Sequence, residues 1–393
     1  MQAVILAAGE GTRIRPLSEE VAKPMLPVAG EPLAARVADV AVAAGVDELV
    51  FIVGYRAEGV RAHFGDRYRG VPVHYAEQAD QRGTADAVLA AREYLDGPFL
   101  VLNGDNRYDL ESVADLVDRG PSVGVHQVAD PTNYGVVRVD DGVVTDIVEK
   151  PDDPPTDLAN TGAYHFPADA AEMLEVPESE RGEHELTDVL ASIAETHTVR
   201  PVRLDRWMDV GRPWELLEAT ERQLAEATRR VRGEVHRDAD LRGTVVVEAG
   251  ATIEAGVVIE GPALVQSGAT VGPNAYVRGA TVVGPDATVG HGCEVKNSVL
   301  LAGASVSHLS YVGDSVLGRD VNFGAGTQVA NLRHDGADVR LTVKGERVST
   351  GRRKFGVVAG HGAKTGVNTS LDPGVTLSVG ATTAAGETVS RDR

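Results

Sequence analysis

The sequence predicts an α/β domain on a mostly parallel sheet, followed by a parallel β-helix. Three observations carry this. Through about residue 210, short apolar runs alternate with helical patterns. From Val247 an aliphatic residue returns at every sixth position. The 393 residues include 44 glycines and only 4% aromatics, a composition suited to tightly wound strands with small side chains.

The elements follow in chain order. Val4–Leu6 reads as a buried strand, and Leu33–Ala44 as a helix ended by Gly45. Glu48–Val53 (ELVFIV) is a strand, Ala85–Tyr94 a helix and Phe99–Leu102 a strand. Asp109–Val117 is a further helix and Val123–Val128 a further strand. Such βαβ alternation gives a Rossmann-like sheet covered on both faces, with ligands at the carboxyl ends of its strands. The loops after Leu6 and Leu102 are therefore where chemistry is expected. Pro213 to Val231 reads as a helix with Pro in its first turn and Gly233 beyond its end. It joins a first domain, 1–230, to a second, 234–393.

In the second domain Val247, Ile253, Ile259, Val265, Val271, Val277, Val283, Val289, Val295 and Leu301 keep one period. Three hexads make one coil of a triangular prism, with the aliphatic residue pointing inward. After Leu301 the register slips by one, to Val306 and Val312. Residues from about 331 to 355 lack the repeat and read as an inserted loop, where a regular solenoid is expected to contact ligands.

Bulk properties narrow the partners. A net charge of −20 repels phosphate backbones and anionic lipid, so nucleic-acid and membrane partners are not expected. No run of about 18 apolar residues suggests a membrane span. The N-terminus lacks the basic segment and cleavage site of a signal peptide, so a cytoplasmic protein is expected. The lone Cys293 allows neither an intramolecular disulfide nor a cysteine zinc finger, and is expected in the core or on the surface of the β-helix. His184–Glu185 does not begin a zinc-protease motif, because Asp188 stands where the second histidine belongs. There are only six lysines against 32 arginines, so each lysine draws attention.

The segment LAAGEGTRIRPLSEEVAKPMLPVAG starts at Leu6, directly after the first strand. Gly9 and Gly11 let backbone amides approach an anion, while Arg13 and Lys23 add positive charge. It is neither a Walker loop nor G-x-G-x-x-G, since Ile14 occupies the third glycine position. This segment resembles the nucleotidyltransferase-A family, which activates sugar 1-phosphates. The resemblance covers roughly residues 1–230. It implies that Leu6, Ala8, Gly9, Gly11, Thr12 and Arg13 hold a nucleoside triphosphate, with Arg13 and Lys23 neutralising charge in transfer. In EQADQRGTADA it assigns Gln78 and Gln81 to a pyrimidine base and Gly83 and Thr84 to the nucleoside. An amide can both donate and accept, as uracil and thymine require. Asp105, in LVLNGDN, and Asp209, in RWMDVGRPWEL, are implied ligands of one Mg2+. Gly135 in NYGVV, Glu149 and Lys150 in IVEKP, and Asn160 in ANTGAY are implied contacts of the sugar and its phosphate. UTP and dTTP are left as alternatives.

The stretch S-H-L-S-Y-V-G-D, then N-F-G-A-G-T and A-N-L, resembles the acetyltransferase half of the bifunctional GlmU-type enzymes. The resemblance implies a left-handed coil and acetyl-CoA as co-substrate. His308 would be the general base that deprotonates the amino group of glucosamine 1-phosphate, since a near-neutral imidazole suits that task. Asn331 would orient the reacting groups, Arg278 and Lys296 would grip the phosphate, and Tyr311 and Asn322 would touch the sugar. Ala325 would lie against acetyl-CoA. The resemblance also implies a homotrimer or a dimer of trimers. The alternative is a monofunctional glucose-1-phosphate uridylyl- or thymidylyltransferase with a structural β-helix.

Overall fold

A computed structural model describes residues 1–393, in two compact units. The first comprises residues 1–10, 21–26 and 32–209; the second comprises 11–20, 27–31 and 210–393.

The first unit is built on a mixed sheet. Gln2–Leu6 lies at its centre, parallel to Glu48–Val53 on one side and Phe99–Asn103 on the other. Val71–Glu77 extends the parallel run beyond Glu48–Val53. Val4, Ile5, Leu49 to Val53 and Phe99 to Leu102 are apolar and fully buried, as strand interiors covered on both faces must be. Beyond Phe99–Asn103 the sheet turns antiparallel, through Leu158–Phe166, Gly135–Asp140 and Val143–Glu149. Ser122–Gln127 departs from the simple alternation. It pairs antiparallel with Leu158–Phe166 and parallel with Arg200–Arg203.

Helix Leu33–Ala43 ends before Gly45, whose φ of +98° is the left-handed turn that glycine supplies without strain. Helix Leu110–Asp118 starts where the Asp109 carboxylate accepts the Ser112 N–H at 3.0 Å. The helix expected over Ala85–Tyr94 is broken: Thr84–Leu89 is helical and only a 3-10 turn, Arg92–Tyr94, follows.

The second unit is a parallel β-helix of three ladders, with eight, seven and eight strands. Nine of the ten hexad residues, Val247 to Val295, point into one buried aliphatic core. Leu301 does not. Leu300 takes the interior place, because the spacing shortens to five between Val295 and Leu300 and again between Val312 and Leu317. Both shortenings fall at the corner between the third and first faces, so the coils from 282 to 328 advance by 17 residues instead of 18. The segment without the repeat leaves the prism at that same corner and carries an antiparallel hairpin, Arg340–Val343 with Glu346–Ser349.

The expected helix 213–231 spans Pro213–Ala225. It stops early because Arg230–Val231 already pairs with Val246–Val247 as the first rung. Gly233 therefore belongs to the β-helix, where an added Cβ would meet the Ala251 and Glu248 carbonyl oxygens at 2.5 and 2.6 Å. Cys293 is buried in the prism core, and that burial raises its thiol pKa.

Candidate functional site

The carboxyl ends of the central strands of the first unit frame a cavity of about 290 Å3. Leu6, Ala8, Gly9, Gln78, Gln81, Gly83, Thr84 and Asp105 line it, together with Ile52, Ala87, Asn103 and Glu183. An added Cβ on Gly9 would meet no protein atom, so its small size leaves room for a ligand. Gly83 is constrained otherwise: its φ is +121° and its Cα lies against the His184 backbone, so a side chain would collide there. Gly11 takes the left-handed φ of 63° and opens a 3-10 turn, Thr12–Ile14, in which Thr12 and Arg13 are half-buried. These three residues cluster with the second unit.

The glutamines are partly committed. Gln78 Nε2 donates to the Gly83 carbonyl and to Asp86 Oδ2, both at 3.0 Å, so its amide oxygen is the group left to accept. Gln81 Nε2 donates one hydrogen bond, to the Ala8 carbonyl at 3.1 Å, and keeps a second N–H. Between them they retain both an acceptor and a donor.

Lys23 is buried, with its ammonium 2.5 Å from Asp105 Oδ2 and 3.7 Å from Asp209 Oδ1. Strand pairing of Asn106 with Asp209 brings these acids together across more than a hundred residues. Removing one member of so enclosed an ion pair strands the others, typically at about 3–5 kcal/mol. No cluster of three or more His, Cys, Asp or Glu side chains is placed to hold a metal ion. Two carboxylates and no softer donor fit Mg2+, which takes one or two carboxylates and completes its shell with water and substrate phosphate oxygens.

Gly135, Glu149, Asn160 and Thr187 converge: a Cβ at Gly135 would lie 2.8 Å from Glu149 Oε2, 3.2 Å from Thr187 Cγ2 and 3.4 Å from Asn160 Cβ. Lys150 pairs with Glu149 at 2.9 Å. Asn160 donates to Tyr164 Oη at 2.5 Å and accepts the Gly162 N–H at 3.0 Å. The acid Glu185 was not singled out from the sequence. It is 5% exposed, and its Oε1 lies 3.3 Å from Arg181 Nε without a hydrogen-bond partner. Burial, and next the charge of Glu149, push its pKa up to about 7. The same two causes raise Asp188.

In the second unit, Arg278, Lys296 and Gly313 stack in register on the third face, and Tyr276, Glu294 and Tyr311 stack beside them. Arg278 pairs with Glu294 and Lys296 with Asp314, each at 2.7 Å. Asn331 donates to Tyr311 Oη at 3.1 Å and to Asp314 Oδ2 at 2.5 Å. Asp314 is thus the hub of this face; it ends the quoted S-H-L-S-Y-V-G-D run, yet no role was read for it. His308 is exposed at the end of its strand, at the corner leading to Tyr311. The Gly326 N–H donates to the His308 carbonyl at 2.9 Å, which sets Ala325 one coil above that corner. Asn322 is exposed on the second face, in register with Ser305. Arg278, Lys296, Tyr311 and Asn331 are therefore gathered on one face, with His308, Asn322 and Ala325 around its edge.

At the strand ends of this sheet Gln78, Gln81 and Asp105 line the cavity, with Lys23 between Asp105 and Asp209 beside it. The family model described as "Nucleotidyl transferase" matches residues 2–226, and that described as "GMPPB C-terminal domain" matches 259–361. The chain is 38% identical over 378 residues to the "Bifunctional protein GlmU" of Methanocaldococcus jannaschii, covering 95% of this chain and 91% of that one. It is 35% identical over 400 residues to the bifunctional sugar-1-phosphate nucleotidylyltransferase/acetyltransferase of Sulfurisphaera tokodaii, covering 100% and 98%. A UTP–glucose-1-phosphate uridylyltransferase of Haloferax volcanii, AglF, is 38% identical over 240 residues, 58% of this chain and 98% of its own. The crystal structure of a UDP-glucose pyrophosphorylase complexed with UDP-glucose shares the fold of the first part at a TM-score of 0.53 and 24% identity, covering 57% of this chain and 99% of that chain. The chain belongs to the family of bifunctional GlmU proteins, across both of its halves. No helix in it is long and apolar enough to cross a membrane.

Proposed function

We propose that the chain is a bifunctional enzyme. One site acetylates glucosamine 1-phosphate with acetyl-CoA. The other joins the product to the uridylyl group of UTP, releasing pyrophosphate and giving UDP-N-acetylglucosamine. Its substrates are small molecules, and dTTP meets the same two glutamines. The observation that best supports this is Lys23 held between Asp105 and Asp209 beside a cavity lined by Gln78 and Gln81.

In nucleotidyl transfer, Gly9, Gly11, Thr12 and Arg13 bind the triphosphate, and Gln78, Gln81, Gly83 and Thr84 bind its base and sugar. Gly135, Glu149, Lys150 and Asn160 orient the sugar 1-phosphate. Asp105 and Asp209 would hold a Mg2+, which when bound would neutralise charge on the phosphate oxygens. Lys23 keeps the two acids from repelling one another and adds a positive charge to the site. The incoming phosphate monoester is already anionic, so its oxygen attacks the α-phosphorus without a general base. The α–β bridging bond breaks as pyrophosphate leaves.

In acetyl transfer, His308 takes a proton from the amino group, and the amine attacks the thioester carbonyl. The C–S bond breaks and coenzyme A leaves as the thiol. Arg278 and Lys296 bind the phosphate, Tyr311 and Asn322 the sugar, Ala325 the coenzyme, and Asn331 orients the reacting groups. A homotrimer or dimer of trimers, working in the cytoplasm, completes the proposal.

The test is a coupled assay. Coenzyme A release from acetyl-CoA should require glucosamine 1-phosphate. His308→Ala should abolish that release and leave intact the formation of pyrophosphate from UTP and added N-acetylglucosamine 1-phosphate, and Asp105→Ala should do the converse. Pyrophosphate formation from glucose 1-phosphate without any coenzyme A release would instead favour a monofunctional enzyme. Loss of both activities in either folded variant would contradict two separate sites.

A further inference from the structure

The loop 11–20 is fastened to the β-helix by a histidine to which no step above assigns work. His361 is 3% exposed, in the corner after Val358–Ala359. Its Nδ1 lies 2.8 Å from the Arg319 backbone N–H, which can only donate. Nδ1 therefore accepts, and the ring proton must sit on Nε2. Nε2–H then donates to the Leu17 carbonyl at 2.9 Å. Only this neutral tautomer satisfies both partners.

The Leu17–Ser18 peptide carries the hold onward. Ser18 Oγ–H donates to the Gly11 carbonyl at 2.8 Å, and the Ile14 N–H donates to the same oxygen at 3.1 Å. Ile14 and Leu17 are wholly buried. Two glycines flatten the coil beneath. A Cβ on Gly360 would meet Pro16 Cβ at 3.0 Å and Val379 N at 2.6 Å, and one on Gly318 would meet His361 N at 2.8 Å. The coil is thus shaped to receive this loop, with one directional hydrogen bond at its centre.

We infer that His361 is a positioning residue for nucleotidyl transfer: through the Leu17 carbonyl it fixes the turn that presents Gly11, Thr12 and Arg13. This rests on the reading that those three residues hold the triphosphate. Binding a polyanion needs that turn ordered beforehand, and each flexible residue ordered at binding costs affinity.

Two substitutions separate the ring's two bonds. His361→Asn keeps an acceptor for Arg319 but cannot reach Leu17, whereas His361→Gln keeps a donor at the Nε2 position. The triphosphate KM should rise roughly tenfold in His361→Asn, the worth of about one net hydrogen bond. It should return to within about twofold of the parent in His361→Gln, with coenzyme A release unchanged in both. An unchanged KM in His361→Asn while Arg13→Ala raises it would overturn the inference and leave the loop's role standing. No change in either variant would overturn both. Loss of coenzyme A release together with triphosphate affinity in both histidine variants would mark His361 as a residue of the fold alone, and would likewise overturn the inference.

Discussion

Glu185 gives the sharpest quantitative test of the first unit. Its carboxyl is enclosed, one oxygen lacks a hydrogen-bond partner, and its pKa rises from 4.5 to about 7. A raised acid pKa means the folded chain holds the proton more tightly than the unfolded chain. Stability is therefore full below about pH 4.5 and is lost as pH climbs from there to about 7. At about 1.36 kcal/mol per pH unit, the gap amounts to at most about 3 kcal/mol above neutrality. Glu185→Gln removes the charge and keeps the shape. It should stabilise the first unit by about 2–3 kcal/mol at pH 8 and by little at pH 4.5. Trp207 lies in that unit and Trp214 in the other. A urea titration read by fluorescence in a Trp214→Phe background therefore reports on the right unit. A stability gain from Glu185→Gln that is equal at both pH values would refute the reasoning, because a packing effect does not titrate.

Two further outcomes are expected. Leu300→Ala should cost about 2–5 kcal/mol of β-helix stability, the range for emptying a filled core site, and Leu301→Ala should cost less because Leu301 lies outside the aliphatic core; thermal unfolding compares them. Gly313→Ala should lower acetyl transfer at least tenfold with pyrophosphate formation unchanged, because the new Cβ would run into Tyr311 Oη and lie 2.6 Å from Asn331 Nδ2.

Periodic burial made most of the fold legible in the sequence. The hexad exposes every coil from Val247 to Val295, since each inward position must be small and aliphatic. The first coil was counted out although Val235 and Leu241 keep the same six-residue period and pack against the core, because the exposed rung Arg230–Val231 reads as the end of the preceding helix. The slip to Leu300 was visible as an irregularity but was placed one residue late. Two adjacent leucines and a valine, Val299–Leu300–Leu301, offer three candidates for one inward position. In the first unit Gln2–Leu6, Glu48–Val53, Phe99–Asn103 and Ser122–Gln127 were legible to within two residues, whereas Val71–Glu77, Gly135–Asp140, Val143–Glu149, Leu158–Phe166 and Arg200–Arg203 were not read as strands. The antiparallel pairing of Ser122–Gln127 was missed because an apolar run does not reveal its direction.

The candidate sites divide in the same way. Gly9, Gln78, Gln81 and Asp105 lie in contiguous motifs and line one cavity. Glu185 and Asp314 were passed over because their importance arises from burial and from neighbours distant in sequence. His361 left no trace at all, since its two partners, Arg319 and Leu17, are 42 and 344 residues away.

The corner between the third and first faces, twice shortened and then expanded into a hairpin, points to a division of labour. Flat ladders lock each layer to the next by backbone pairing and tolerate no change in length. A bend is anchored only at its two ends, so residues can be dropped or added there without disturbing the prism. Asp314, Asn331 and the excursion that follows all sit at this bend. New ligand chemistry in such a solenoid can therefore be gained by editing an edge, while the walls that hold the molecule up stay as they were.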